Sequence, residues 1–222
     1  VFEGLVAFII AVILGFDWWV DPSSPYYMQW IFLSVTLHMF PGLVLTFDII
    51  SDDVMEQKPK NSEEILAKNT IFLLFVFGAL LAAAMSIVYF LTISGVYPVF
   101  PENYQLGNWN DAYLYTEETA EFWKQAGVSR QVGKALTMEM VTLFFCEAFL
   151  VYQIRRPNKS VIRSFIEDSS KLMYLLIGFL FAIFILLMYF PGVQITLAKW
   201  GLNFMFMYLS ALDWFVCALI SS

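Results

Sequence analysis

The chain is short of charge, of histidine and of cysteine, and each shortage excludes something. Only 14% of its 222 residues are Asp, Glu, Lys or Arg, where a soluble domain carries roughly 25%. Hydrophobic residues make up 60% and aromatics 18%, and the mean hydropathy is +0.70. A water-soluble fold is excluded by this balance. The net charge of −7 offers no basic surface, so nucleic acid is not a partner. The acidic excess lies in connecting loops. His38 is the sole histidine, and one imidazole makes a poor metal site. Cys146 and Cys217 stand in apolar runs and read as small buried thiols rather than a disulfide or metal pair. There is no secretory signal, internal repeat, low-complexity tract or phosphate-binding glycine loop. No catalytic centre is therefore expected within this stretch.

What is present is a series of long apolar segments, at about 1–16, 28–47, 71–94, 135–153, 172–190 and 202–221. Open strands cannot satisfy their backbone groups in lipid, so all six are read as helices. The expected fold is all-α: a polytopic membrane protein built as a six-helix transmembrane bundle in the lipid bilayer. The first segment falls short of the ~20 residues of a full span. It also starts at Val1, so its helix is expected to begin upstream, in a larger protein.

Basic residues set the expected orientation. Lys58, Lys60 and Lys68, with Arg155, Arg156, Lys159, Arg163 and Lys171, fall in two loops on one side. Lys124, Arg130, Lys134 and Lys199 are spread over a longer total loop length on the other. Loops 48–70 and 154–171 are thus expected to be cytoplasmic. Loop 95–134, the longest soluble stretch, is aromatic and contains Pro98 and Pro101. It is expected to be ordered and to face an accessory membrane partner.

Ionisable groups inside spans are rare and face a bundle interior or a wet cavity. Here they are Glu3, His38, Glu139, Glu147 and Asp213. Glu147 and Asp213 fall near mid-span. Glu139 falls nearer the far-side interface, where a solvated carboxylate is expected. Eight residues separate Glu139 from Glu147, which sets them about 80° apart, loosely on one face. Such carboxylates, with the hydroxyls of Ser34 and Thr36, form a hard oxygen environment suited to protons, alkali or alkaline-earth cations. A structural network tying helices together is the competing reading. His38 lies three residues before Pro41, whose missing N–H frees a nearby carbonyl to accept from the imidazole or to coordinate an ion. Asp213 either pairs with a basic group or lines a path.

Several passages resemble one known family. Val1-Phe2-Glu3 and the apolar run that follows resemble the fifth helix of type II P-type cation-transporting ATPases, where a glutamate contributes to the cation site. His38-Met39-Phe40-Pro41 stands where the sixth helix typically has Asp-Met-Val-Pro. Asp53-Val54-Met55 and Pro59-Lys60-Asn61 resemble the cytoplasmic signature Asp-Ile-Met, then Pro-Arg-Asn. The spacing from His38 to Asn61 has no gap. The basic turn at 154–161 resembles the one after the eighth helix, and Tyr189-Phe190-Pro191-Gly192 resembles the end of the ninth. The resemblance is to the C-terminal membrane region of these pumps, closest to the sodium/potassium and hydrogen/potassium alpha subunits.

The resemblance implies upstream cytoplasmic P-type domains that bind ATP and Mg and undergo phosphorylation. This half would supply cation ligands, with Glu3, Ser34, His38 and Glu147 as the candidate cation site and Glu139 and Asp213 as further buried ionisable groups. The departures are specific. Position 38 is His where the family has its central aspartate, and position 34 is Ser where it has Asp or Asn. Phe144 and Ala148 stand where the family's eighth helix tends to place an acid, with Glu147 adjacent. A histidine for an aspartate removes about one unit of negative charge or more, which disfavours a divalent ion. Two functions are therefore expected. One is a pump favouring a proton or a monovalent cation over calcium. The other is a degenerate pseudo-ATPase kept as a structural subunit.

Overall fold

In a computed structural model, the described residues are 9, 12–13, 29, 31–32, 35–36, 68–94, 130–155, 171–202, 204, 206–207 and 209–221. They are helical or irregular, with no strand among them. Five helices are bounded: α1 Lys68–Ile93, α2 Arg130–Arg155, α3 Lys171–Tyr189, α4 Pro191–Lys199 and α5 Ala211–Ser221. The fold is all-α. Among the described residues, three helices are long and apolar enough to cross a membrane, over Phe75–Ile93, Val132–Tyr152 and Lys171–Tyr189.

α2 is the central helix. Of its span, 78% is buried inside the protein, against 39% for α1 and 33% for α3. The outer helices turn large apolar side chains outward, among them Phe72, Phe75 and Phe90 on α1 and Leu175 and Phe179 on α3. Apolar side chains turned outward in this way suit a lipid environment rather than water. Inside, Phe144 of α2 packs against Phe184 of α3 with ring centroids 5.1 Å apart. Phe145 meets Trp214 of α5 edge-on at 6.0 Å. Hydroxyls within the apolar helices donate to the carbonyl one turn back, as Ser86 does to Ala82, Thr92 to Val88 and Thr142 to Met138, each at 2.8 Å. This local bond makes them tolerable in an apolar interior.

The C-terminal part differs from the expectation in two places. The stretch 191–201, expected as a loop, contains α4. Pro191 has no N–H to continue α3 and holds Phe190 in an extended conformation (φ −121°, ψ 79°), so α3 stops and α4 starts with proline in its first turn. α4 then ends at Gly201, whose φ is +82°. The Leu202 N–H donates to the Leu197 carbonyl at 3.0 Å and the Gly201 N–H to the Ala198 carbonyl at 2.9 Å, the paired bonds of a Schellman motif.

The second difference concerns the segment 202–221, expected to be one helix. Its bounded helix begins at Ala211; of residues 202–210, those described are irregular. The start of α5 is set by chemistry. The Asp213 carboxylate accepts from the Ser210 backbone N–H at 2.8 Å, and the Asp213 N–H donates to the Ser210 hydroxyl at 3.3 Å. That reciprocal pair is a capping box of the Ser-x-x-acid type.

Candidate functional site

The ionisable groups gather on α2, and each faces a different neighbour. Lys134 faces α5, where its Nζ lies 2.9 Å from the Asp213 carboxylate. Lys134 was expected in the far-side loop. It lies instead in the second turn of α2 with its side chain only 7% exposed, and Asp213 is 2% exposed. Of the two roles open to Asp213, the structure shows pairing with a base.

Glu139 is 0% exposed, which corrects the expected solvated carboxylate. It lies on the most buried of the described spans, near the Tyr89 hydroxyl of α1. Beside it the Thr92 hydroxyl of α1 contacts the Met138 sulfur at 3.6 Å. Glu147, two turns further along α2, is also buried. It lines a narrow gap of about 10 Å³ with Phe144, Ala148, Val151 and, from α3, Met173, Ile177 and Leu180. Glu139 therefore looks to α1 and Glu147 to α3, so the two do not share one face as a pair.

Of the candidate set Glu3, Ser34, His38 and Glu147, only Glu147 is among the described residues; Glu3, Ser34 and His38 lie outside them. Thr36 is described, buried, and donates to the Phe32 carbonyl at 2.8 Å. Among the described residues no group of three His, Cys, Asp or Glu converges to hold a metal ion. Both cysteines are free thiols, Cys217 buried and Cys146 partly so.

Sequence reasoning missed the polar supports of the irregular stretch before α5. Gln194 of α4, 2% exposed, donates to the Phe206 carbonyl at 2.8 Å and to the Leu187 carbonyl at 2.5 Å. Its own side-chain carbonyl accepts from the Phe206 N–H at 3.1 Å. The Thr137 hydroxyl accepts from the Met207 N–H at 2.9 Å. Tyr189 donates to the Leu209 carbonyl at 2.7 Å and accepts from the Trp214 indole at 3.1 Å. A Cβ on Gly133 would meet the Met207 sulfur at 3.0 Å and its terminal methyl closer still. The readable signal was Ser210-Ala211-Leu212-Asp213, a helix start buried in an apolar run. Gln29, completely buried with no hydrogen-bond partner for its amide among the described residues, carried no signal at all.

Comparison with known proteins supplies the wider frame. The chain is similar to calcium-transporting ATPase 1 of Bacillus cereus (strain ATCC 10987 / NRS 248), with 26% identity over 212 residues. That alignment covers 90% of this chain and 21% of the relative, so the chain spans about a fifth of the length of the curated protein it matches. No solved structure matches it. The family described as "Cation transporting ATPase, C-terminus" matches residues 27–222. Buried acids on a central helix, apolar outer helices and this match agree: the chain belongs to the cation-transporting ATPase C-terminal family and is an integral, multi-pass membrane protein.

Proposed function

We propose that the chain is the cation-translocating membrane half of a P-type ATPase, with a site that favours a proton or a single monovalent cation over calcium. One observation carries the reading: His38 occupies the position of the family's central aspartate, in a stretch that keeps the family's spacing through to Asn61. Glu147 supports it as an acid buried on the central helix. With Glu3, Ser34 and His38 it would form the site, and fewer negative oxygens select a lower ionic charge.

ATP and Mg would act in cytoplasmic domains upstream of this stretch, and the loops 48–70 and 154–171 would face them. Loop 95–134 would meet an accessory subunit on the opposite side. The second reading, a pseudo-ATPase serving as a structural subunit, is favoured by the loss of acidic oxygens at both position 34 and position 38.

The test is ion-stimulated ATP hydrolysis by the full-length protein. Stimulation by protons or a monovalent cation, abolished by Glu147→Gln and by Glu3→Gln, is the expected result. His38→Asp should raise the response to calcium. Activity unchanged in Glu3→Gln and Glu147→Gln would refute this site. A missing Asp-Lys-Thr-Gly phosphorylation motif upstream would decide for the structural subunit.

A further inference from the structure

The contacts between α2 and α5 keep one spacing. Lys134 pairs with Asp213. The Cys217 thiol lies 3.4 Å from the Met138 carbonyl, 79 positions away, and the Ser221 hydroxyl donates to the Thr142 carbonyl at 3.1 Å, again 79 positions away. A constant offset means that the two helices run parallel. The partners recur every four residues on both, which is the spacing of one helix face.

Most of this seam does not choose its own register. Cys217 and Ser221 meet backbone carbonyls, and every turn of α2 offers similar carbonyls. A shift by one turn would give the thiol and the hydroxyl equivalent acceptors. The Phe145–Trp214 ring contact is likewise apolar and adaptable; the directional bonds of Trp214 to Tyr189 and of Met207 to Thr137 lie outside these helix-to-helix contacts. The ion pair is different. One residue of α5 carries charge, Asp213, and the base it meets is Lys134; a shift of one turn in either direction separates the two charges in a low-dielectric interior, where each would be strongly disfavoured. Asp213 also caps α5 through Ser210, so the same carboxylate fixes where the helix begins and where it docks.

We infer that the Lys134–Asp213 pair is a register lock, which selects one alignment of the parallel helices α2 and α5 from several that the rest of the seam would accept. The lock does not rest on the transport reading, because it concerns assembly of the bundle. A polar pair of this kind contributes specificity of alignment rather than net stability.

Cross-linking in membranes carrying the full-length protein tests it. The Thr142 hydroxyl and the Cys217 thiol both bond the Met138 carbonyl. A Thr142→Cys variant, in a Cys146→Ser background, therefore reports the native register by forming a disulfide with Cys217 on oxidation by copper–phenanthroline and oxygen. The native thiols report the shifted register: Cys146 lies one turn beyond Thr142, so Cys217 reaches it only after α5 slides along α2. With Lys134 and Asp213 intact, the first cross-link should form and the second should not. In Lys134→Met/Asp213→Leu, which removes both members of the pair, the native-register product should fall about fivefold or more as other alignments fill. Cross-linking of Cys146 to Cys217 should then appear if the slide runs in that direction. Ser210→Ala, which weakens the α5 cap and keeps the ion pair, should leave the native-register product unchanged. An unchanged native-register product in Lys134→Met/Asp213→Leu would overturn the lock. So would an equal loss in Ser210→Ala, which would assign the effect to the cap rather than to the ion pair.

Discussion

Lys134 and Asp213 meet at 2.9 Å across the junction of α2 and α5, both almost wholly removed from solvent. The pair joins α2, the most buried of the described spans, to α5. Charges so placed need each other, because neither has water to fall back on.

Removing one partner should therefore hurt more than removing both. Lys134→Met or Asp213→Asn alone should destabilise the bundle by about 3–5 kcal/mol, since each breaks a buried ion pair from one side. Lys134→Met/Asp213→Leu should recover most of that loss. Thermal unfolding of the detergent-solubilised protein, followed by exposure of Cys217 to a thiol-reactive dye, measures the difference. Asp213→Asn should also cost part of the cap at Ser210, so it should be the worse of the two single changes.

Gln194 anchors the irregular chain before α5 through both backbone groups of Phe206. Gln194→Leu fills similar volume yet takes this partner from the Phe206 N–H and from the Phe206 and Leu187 carbonyls, each worth about 1–3 kcal/mol if left unsatisfied. Thr196→Val, two residues away on the exposed side of α4, should change stability by less than about 0.5 kcal/mol. The contrast in unfolding temperature between the two variants is the readout.

Gly133 lets the chain at Met207 approach α2 closely. Gly133→Ala would drive its methyl into the end of the Met207 side chain. That end is flexible, so the loss should be about 1–3 kcal/mol rather than collapse of the fold. Met207→Ala in the same protein should relieve the overlap, and a double-mutant cycle on unfolding free energy would show the two changes to be coupled.

Gly201 ends α4 in the left-handed region at φ +82°. Space is open around it, so Gly201→Ala tests backbone conformation alone. A loss of about 1 kcal/mol is expected, visible as a lowered unfolding midpoint with no change in the bonds made by Gln194.

The sequence announces helices through unbroken hydrophobicity, and segments 71–94, 135–153 and 172–190 fall within or beside α1, α2 and α3. Hydropathy does not announce what a helix is next to. Glu139 was placed by its depth along the segment, which suggested solvent; its burial follows from α2 being surrounded, a property of the assembled bundle. Lys134 was hidden for the same reason. It follows a polar loop with no break, and only the distant Asp213 explains why it can be buried. The interruption before α5 was hidden in another way. Residues 202–209 are as apolar as a helix, and the period of apolar residues does not separate a helix from an irregular chain held by side chains. Ser210-x-x-Asp213 was readable as a helix start. Gln194, Thr137 and Tyr189 were not readable as its supports, because their partners are backbone groups that sequence does not display.

Connections between helices usually accept an added residue, since water takes up whatever polar groups are displaced. The stretch before α5 lacks that freedom. Its polar backbone groups at Phe206, Met207, Leu209 and Ser210 are matched one by one to side chains on α4, α2, α3 and α5. One extra residue would put every later group out of step with its partner. The least regular part of the described chain is thus the part whose length is most tightly set.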